Sequence, residues 1–229
     1  MPLRRAPLWR CLADSPLPVL ALIALAGNTD ALVMMHGKPL LAVYMTGDST
    51  RLGAALLHGA GKEVGALLCL IACFVAGTTL AAWLGVRAPA WRPAIALTLT
   101  AALIALAIPH AGDDWPLRST ALIAAAMGAL NEARADQPGV TFITGALIKA
   151  GRDLAVGRAG AAARSVARWL AWLAGAIAGV SLDVRFGTGA LVALALCALA
   201  GAAMALLGRA HPTSPASPAN AKKAARTLS

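Results

Sequence analysis

The chain has 229 residues, of which 59% are hydrophobic and 13% charged, with a formal net charge of +10. Soluble domains run at roughly 45–50% apolar and 25% charged residues, so this composition excludes an ordinary soluble fold and makes lipid the expected solvent. A nucleic-acid surface is excluded as well: the bases gather in two tails and one loop, around Arg4, Arg5 and Arg10, Arg152 to Arg168, and Lys222 to Arg226.

Residues 1–15 form a basic N-terminus, and eight apolar segments follow. The first, Pro16–Met35, imitates a secretory signal at Val19–Ala26, with Ala24 and Ala26 spaced like a cleavage site. Cleavage there would sever the segment carrying Asp30, so it is read as a retained helix. The second, Pro39–His58, is interrupted by Met45–Thr46–Gly47–Asp48–Ser49–Thr50–Arg51. The third, Val64–Val86, has 23 residues without a charge or histidine, long enough at about 1.5 Å per residue to cross a hydrocarbon core of about 30 Å. The fourth is Pro93–Pro109, and a polar turn at residues 111–116 closes the first half.

The second half repeats the plan with Ser119–Glu132, Pro138–Val156, Ala167–Leu182 and Thr188–Gly208; the sixth segment is interrupted by Thr144–Gly145 and Lys149. Residues 209–229, rich in Pro, Ser, Ala and Lys, read as a disordered basic tail. The expected architecture is an all-α membrane bundle of six to eight spans. It is built from membrane repeats at residues 16–110 and 117–208, with segments 2 and 6 broken or re-entrant.

The repeat is explicit in the residues. Gly27–Asn28–Thr29–Asp30 with Thr46–Gly47 returns as Gly128–Ala129–Leu130–Asn131 with Thr144–Gly145. An offset of 98 relates Thr46 to Thr144, Arg51 to Lys149, Gly53 to Gly151, Phe74 to Trp172 and Gly77 to Gly175, while Gly27 to Gly128 is 101. Three crossings per half would make the repeats inverted, and four would make them parallel. The excess of Lys and Arg on cytoplasmic segments puts both termini inside. It does not choose between the models, because 15 of the 20 basic residues fall inside in either; six crossings is the preferred reading.

Asp30 lies about fifteen residues into the first segment, where a carboxylate costs roughly 2.5–3.5 kcal/mol to insert and is expected to face the bundle or a wet cavity. Asn131 is its uncharged counterpart, and the pair suits asymmetric binding of a cation or proton. Thr46 and Thr144 are expected to cap the half-helices that follow, with Gly47 and Gly145 permitting the turns and exposing amide groups that an anion could meet. Asp48 is a second candidate beside Asp30. Arg51, Lys149 and Glu132 are weaker ones, the first two read as snorkelling to the interface and Glu132 as a paired surface carboxylate. Gly175 and Gly179 form a Gly-x-x-x-Gly packing face. No metal set is expected from the four scattered histidines or the four cysteines, and no nucleotide or hydrolase motif occurs, so neither cofactor nor catalytic residue is expected.

The runs Gly27–Asn28–Thr29–Asp30–Ala31 with Tyr44–Met45–Thr46–Gly47, and Met127 to Asn131 with Phe142 to Gly145, resemble the YoaK family from about Val19 to Leu207. The resemblance implies a polytopic bacterial inner-membrane protein grouped as a domain of unknown function. Family members have Asn where this chain has Asp48, and a small residue where it has Glu132. The leading expectation is a small secondary transporter or permease for a solute or ion, with proton coupling as one mode and a polar site between the repeats. A non-transporting scaffold is the alternative, and a lipid-acting membrane enzyme built on Asp30 and Asp48 the third. Expected partners are the bilayer, the transported species and a second copy of the chain.

Overall fold

The computed structural model describes residues 15–37, 40, 42–112, 114–135 and 139–209. The expected basic N-terminal segment (residue 15 apart) and disordered C-terminal tail (residue 209 apart, which is helical) lie outside these residues. Among the described residues every regular element is helical: α1 (Leu17–His36), α2 (Met45–Leu57), α3 (Gly61–Arg87), α4 (Arg92–Ala107), α5 (Leu117–Asn131), α6 (Ile143–Ala155), α7 (Ala159–Phe186) and α8 (Ala190–Arg209). Each expected segment therefore holds a helix. Long apolar helices able to cross a bilayer occur at residues 17–36, 61–87, 89–110 and 159–208.

Physical causes for the boundaries are visible. Pro93 stands in the first turn of α4, where its missing N–H breaks no ladder. Gly59 and Gly157 adopt positive φ in the turns that close α2 and α6, and Gly187 does so after α7. The 13 residues each of α2 and α6 give lengths of about 20 Å, well short of the hydrocarbon thickness. Each is one continuous short helix that begins at the Met-Thr-Gly or Ile-Thr-Gly run. The interruption therefore lies before that run, at residues 42–44 and 139–142, rather than within it.

The two halves interlock. α1 packs on α7 and α5 packs on α3, so the first helix of each half takes the third helix of the other as its main partner. Glycines allow both contacts. Gly27 lies against the backbone carbonyl of Trp172, and Gly175 against that of Ala24. In the second pair Gly128 meets the carbonyl of Phe74, and Gly77 that of Ala125. The offsets of 101 and 98 turn the first pair of contacts into the second. Polar atoms reinforce the packing: Thr100 on α4 donates to Ala126 O at 3.2 Å on α5.

The core is centred on α5, where Ile123, Met127 and Leu130 are fully buried with Ile23 and Leu32 of α1, Leu67 and Leu70 of α3, Ile104 of α4, and Leu191 and Leu194 of α8. Elsewhere the long helices expose large apolar side chains, among them Leu68, Val75, Ile177 and Val184. That outward-facing apolar surface is what a lipid solvent favours.

Candidate functional site

Asp30 occupies the turn of α1 that follows Gly27. The close approach at Gly27 and Gly175 brings α7 beside it, and Gly179 extends the approach: a Cβ there would lie 2.7 Å from Asn28 O. The expected Gly175/Gly179 packing face is therefore real, and its partner is α1. Past these glycines the helices leave a groove of about 680 Å³, lined by Asp30, Met34 and Met35 from α1 and by Ile177, Val180 and Ser181 from α7. Ser181 spends its hydroxyl on Ile177 O at 2.8 Å, so Asp30 supplies the charge in an otherwise apolar groove. Asp30 is half-buried and six residues from the end of α1, about 9 Å along its axis. Beside it Thr29 is fully buried and donates to Leu25 O at 2.9 Å, while buried Asn28 Oδ1 has no hydrogen-bond partner.

The counterpart of Asp30 is employed differently. Asn131 Nδ2 donates to Met127 O at 3.0 Å, and Asn131 Oδ1 accepts the Thr141 N–H at 3.2 Å. The side chain thus ties the end of α5 to the turn that precedes α6. Among the described residues no comparable bond to Asp30 is seen, and position 43, equivalent to Thr141, is Val and offers no side-chain hydroxyl.

The expected threonine caps are absent. Tyr44 and Phe142 stand at the N-cap positions of α2 and α6 without side-chain capping, and Thr46 and Thr144 lie two residues inside, exposed. Gly47 is half-buried, and Gly145 makes room for the Phe142 ring. Thr46, Asn131 and Thr144 do not line the groove beside Asp30. Asp48 is fully buried in the first turn of α2, where the helix dipole favours an anion, and it too stands apart from the groove.

The weaker candidates are engaged in ion pairs that join elements. Arg51 reaches Glu63 at 2.9 Å, linking α2 to α3, and Arg92 at the start of α4 meets Glu132 at 3.5 Å. Lys149 and Arg158 both contact Asp153, at 2.8 and 3.0 Å, linking α6 to α7. The hydrogen bond from Lys149, then the charges of Lys149, Arg158 and Arg164, hold Asp153 below the usual carboxylate range against the opposing effect of burial. Arg51 and Lys149 are thus each held by a carboxylate partner.

Another polar cluster has no precursor in the sequence reading. His36 Nε2 lies 2.7 Å from Asp183 Oδ1, and the imidazole stacks on Trp115 with ring centroids 5.3 Å apart. Trp115 also donates its backbone N–H to His36 O at 3.0 Å. The ends of α1 and α7 and the connector between the halves therefore meet at one point. Its residues lie up to 147 positions apart, so no local spacing announces it.

Residues 19–205 match the model of a family described as protein of unknown function (DUF1275). The chain belongs to this family. The match takes in both copies of the Gly-x-x-Asp/Asn and Thr-Gly motifs of this DUF1275 protein and agrees with the resemblance to the YoaK family. No curated protein and no solved structure matches the chain.

Proposed function

We propose that this DUF1275 protein is a small secondary transporter of the bacterial inner membrane, with six crossings, inverted repeats and both termini in the cytoplasm. In this reading Asp30 carries the coupling proton or cation. The observation that carries the proposal is a half-buried carboxylate at a groove on one repeat, where the other repeat has a fully engaged Asn131. Ionisable groups at such depth are functional by default, because hydrocarbon penalises them.

The helix lengths support six crossings, since α2 and α6 are too short to span and suit the two membrane surfaces. The His36–Trp115 contact supports it too. With six crossings the end of α1 and the 111–116 connector share one face, whereas eight would separate them by the bilayer. Six crossings make α1 and α5 enter from opposite sides, which is the inverted-repeat plan of many secondary transporters.

Protein reconstituted in vesicles with an internal pH dye tests the proposal. An imposed gradient of a transported solute should move protons, and Asp30→Asn should abolish that flux while leaving the folded yield unchanged. Equal flux in both proteins removes Asp30 from the role.

The scaffold reading is favoured by one observation: Asn131, expected at the shared pocket, and the weaker candidates Arg51 and Lys149 are all spent on intramolecular bonds. It predicts that Asp30→Asn lowers stability and leaves nothing else to lose.

A further inference from the structure

Away from Asp30, positive charge concentrates where α6 turns into α7. The helix α6 has three distinct faces. Ala146, Ala150 and Asp153 recur at spacings of four and three and are buried against the protein. Leu147, Ile148 and Leu154 are exposed on a second face, and Lys149 and Arg152 are exposed on the third. An amphipathic helix of this kind lies in the plane of the membrane interface, its apolar face at the acyl boundary and its cations among headgroups. Arg158 and Arg164, at the start of α7, are exposed beside it. Asp153 is shared between Lys149 and Arg158 and also senses Arg164, so one carboxylate faces three cations, with Arg152 exposed on the neighbouring face of the same helix. The elbow is rigidly tied and strongly positive.

The other half supplies an internal control. At the offset of 98, Arg152, Arg158 and Arg164 correspond to Ala54, Ala60 and Ala66. The helix α2 has the same buried face at Asp48 and Ala55, and its Arg51 is offset by Glu63. The elbow folds with alanine at all three places, so packing does not require these arginines. They set this elbow apart in charge from its counterpart in the other half.

We propose that the α6–α7 elbow binds an anionic phospholipid from the leaflet it faces. Arg152, Arg158 and Arg164 grip the headgroup phosphate, and Leu147 and Leu154 lie along the acyl chains. Guanidinium groups suit this task because their planar donors match phosphate oxygens two at a time, and a non-bilayer anion would leave the exposed leucines without a partner.

Native mass spectrometry of the full chain in detergent, titrated with phosphatidylglycerol or with phosphatidylcholine of the same acyl chains, tests the site. The wild type should bind phosphatidylglycerol at least tenfold more tightly than phosphatidylcholine. The variant with Arg152→Ala, Arg158→Ala and Arg164→Ala should lose that preference at unchanged helical circular dichroism, and the corresponding Arg→Lys triple should recover part of it. Millimolar inorganic phosphate should leave the lipid bound. Three results overturn the proposal: equal binding of the two lipids, undiminished preference in the alanine variant, or displacement by inorganic phosphate, which would mark a site for free anions. If the alanine variant fails to fold, the lysine variant decides alone, since a site that reads guanidinium geometry must weaken there and a diffuse charge effect must not.

Discussion

The interlocking glycines allow the sharpest quantitative test. A Cβ added at Gly77 would sit 2.7 Å from the carbonyl carbon of Ala125 and 2.8 Å from its Cα. At Gly175 the matching distances to Ala24 are 2.6 and 2.7 Å. Carbon atoms rest at about 3.5–4.0 Å, so α3 and α5, or α1 and α7, must part by about 1 Å. The obstacle is backbone on both sides and cannot rotate away. Overpacking of this kind costs roughly 1–3 kcal/mol, so Gly77→Ala and Gly175→Ala should each destabilise by that amount. Gly53 and Gly151 are related by the same offset, yet a Cβ at either meets nothing within 4 Å. Both lie inside helices, where alanine is favoured over glycine by about 0.5–1 kcal/mol. The two repeat-related pairs should therefore shift stability in opposite directions. Unfolding of the purified protein by sodium dodecyl sulfate in mixed micelles, followed by circular dichroism, reads the difference. The double variant at Gly77 and Gly175 should be additive within about 0.5 kcal/mol, because the two contacts share no residues. Wild-type stability in Gly77→Ala, or equal losses at Gly53 and Gly77, would refute the packing account.

Further predictions concern topology and the polar clusters. In a background without native cysteines, Gly112→Cys should react with an impermeant maleimide from outside intact cells and Gly151→Cys only after permeabilisation; reactivity of Gly112→Cys from the inside would establish eight crossings. His36→Phe keeps a ring on Trp115 but removes the bond to Asp183, and should lose about 1.5–3 kcal/mol. Asp183→Asn added to it should cost little more, as a double-mutant cycle of thermal unfolding will show. Asp153 is held below its ordinary value of 3.8, so its contribution is complete above that pH and disappears as pH falls through the lower folded value. Asp153→Asn should accordingly lower the melting temperature at pH 7 and flatten its acid decline below pH 3.8.

Much of the fold was legible because the repeat is written in residue types that packing alone demands. Gly27, Gly77, Gly128 and Gly175 sit at matched offsets, and each marks a backbone contact. Some segment boundaries differ: α2 and α6 begin six and five residues after the expected Pro39 and Pro138, and α7 begins at Ala159, eight residues before the expected Ala167. Arg164 and Arg168 mark that stretch as a loop in the sequence, but arginines are good helix formers, and here Arg164 projects exposed from the helix while Arg168 is half-buried. The exchange of partners between halves was not legible, because periodicity shows which face is buried and not what buries it. Thr46 and Thr144 misled for a local reason: residues of the type that caps helices stood two places past the actual cap. Asn131 looked like a second ligand until the turn at Thr141 claimed it.

The crossed pairing of helices also sets an order on synthesis. When α1 leaves the ribosome its partner does not yet exist, for some 120 residues separate His36 from Ala159. At roughly 5–20 residues per second that delay is about 6–24 s. Throughout it the bare ridge around Gly27, and Asp30 one turn on, must be shielded by something other than α7. Neither half can be assembled as a finished module and joined to the other afterwards; the last long helices close the first.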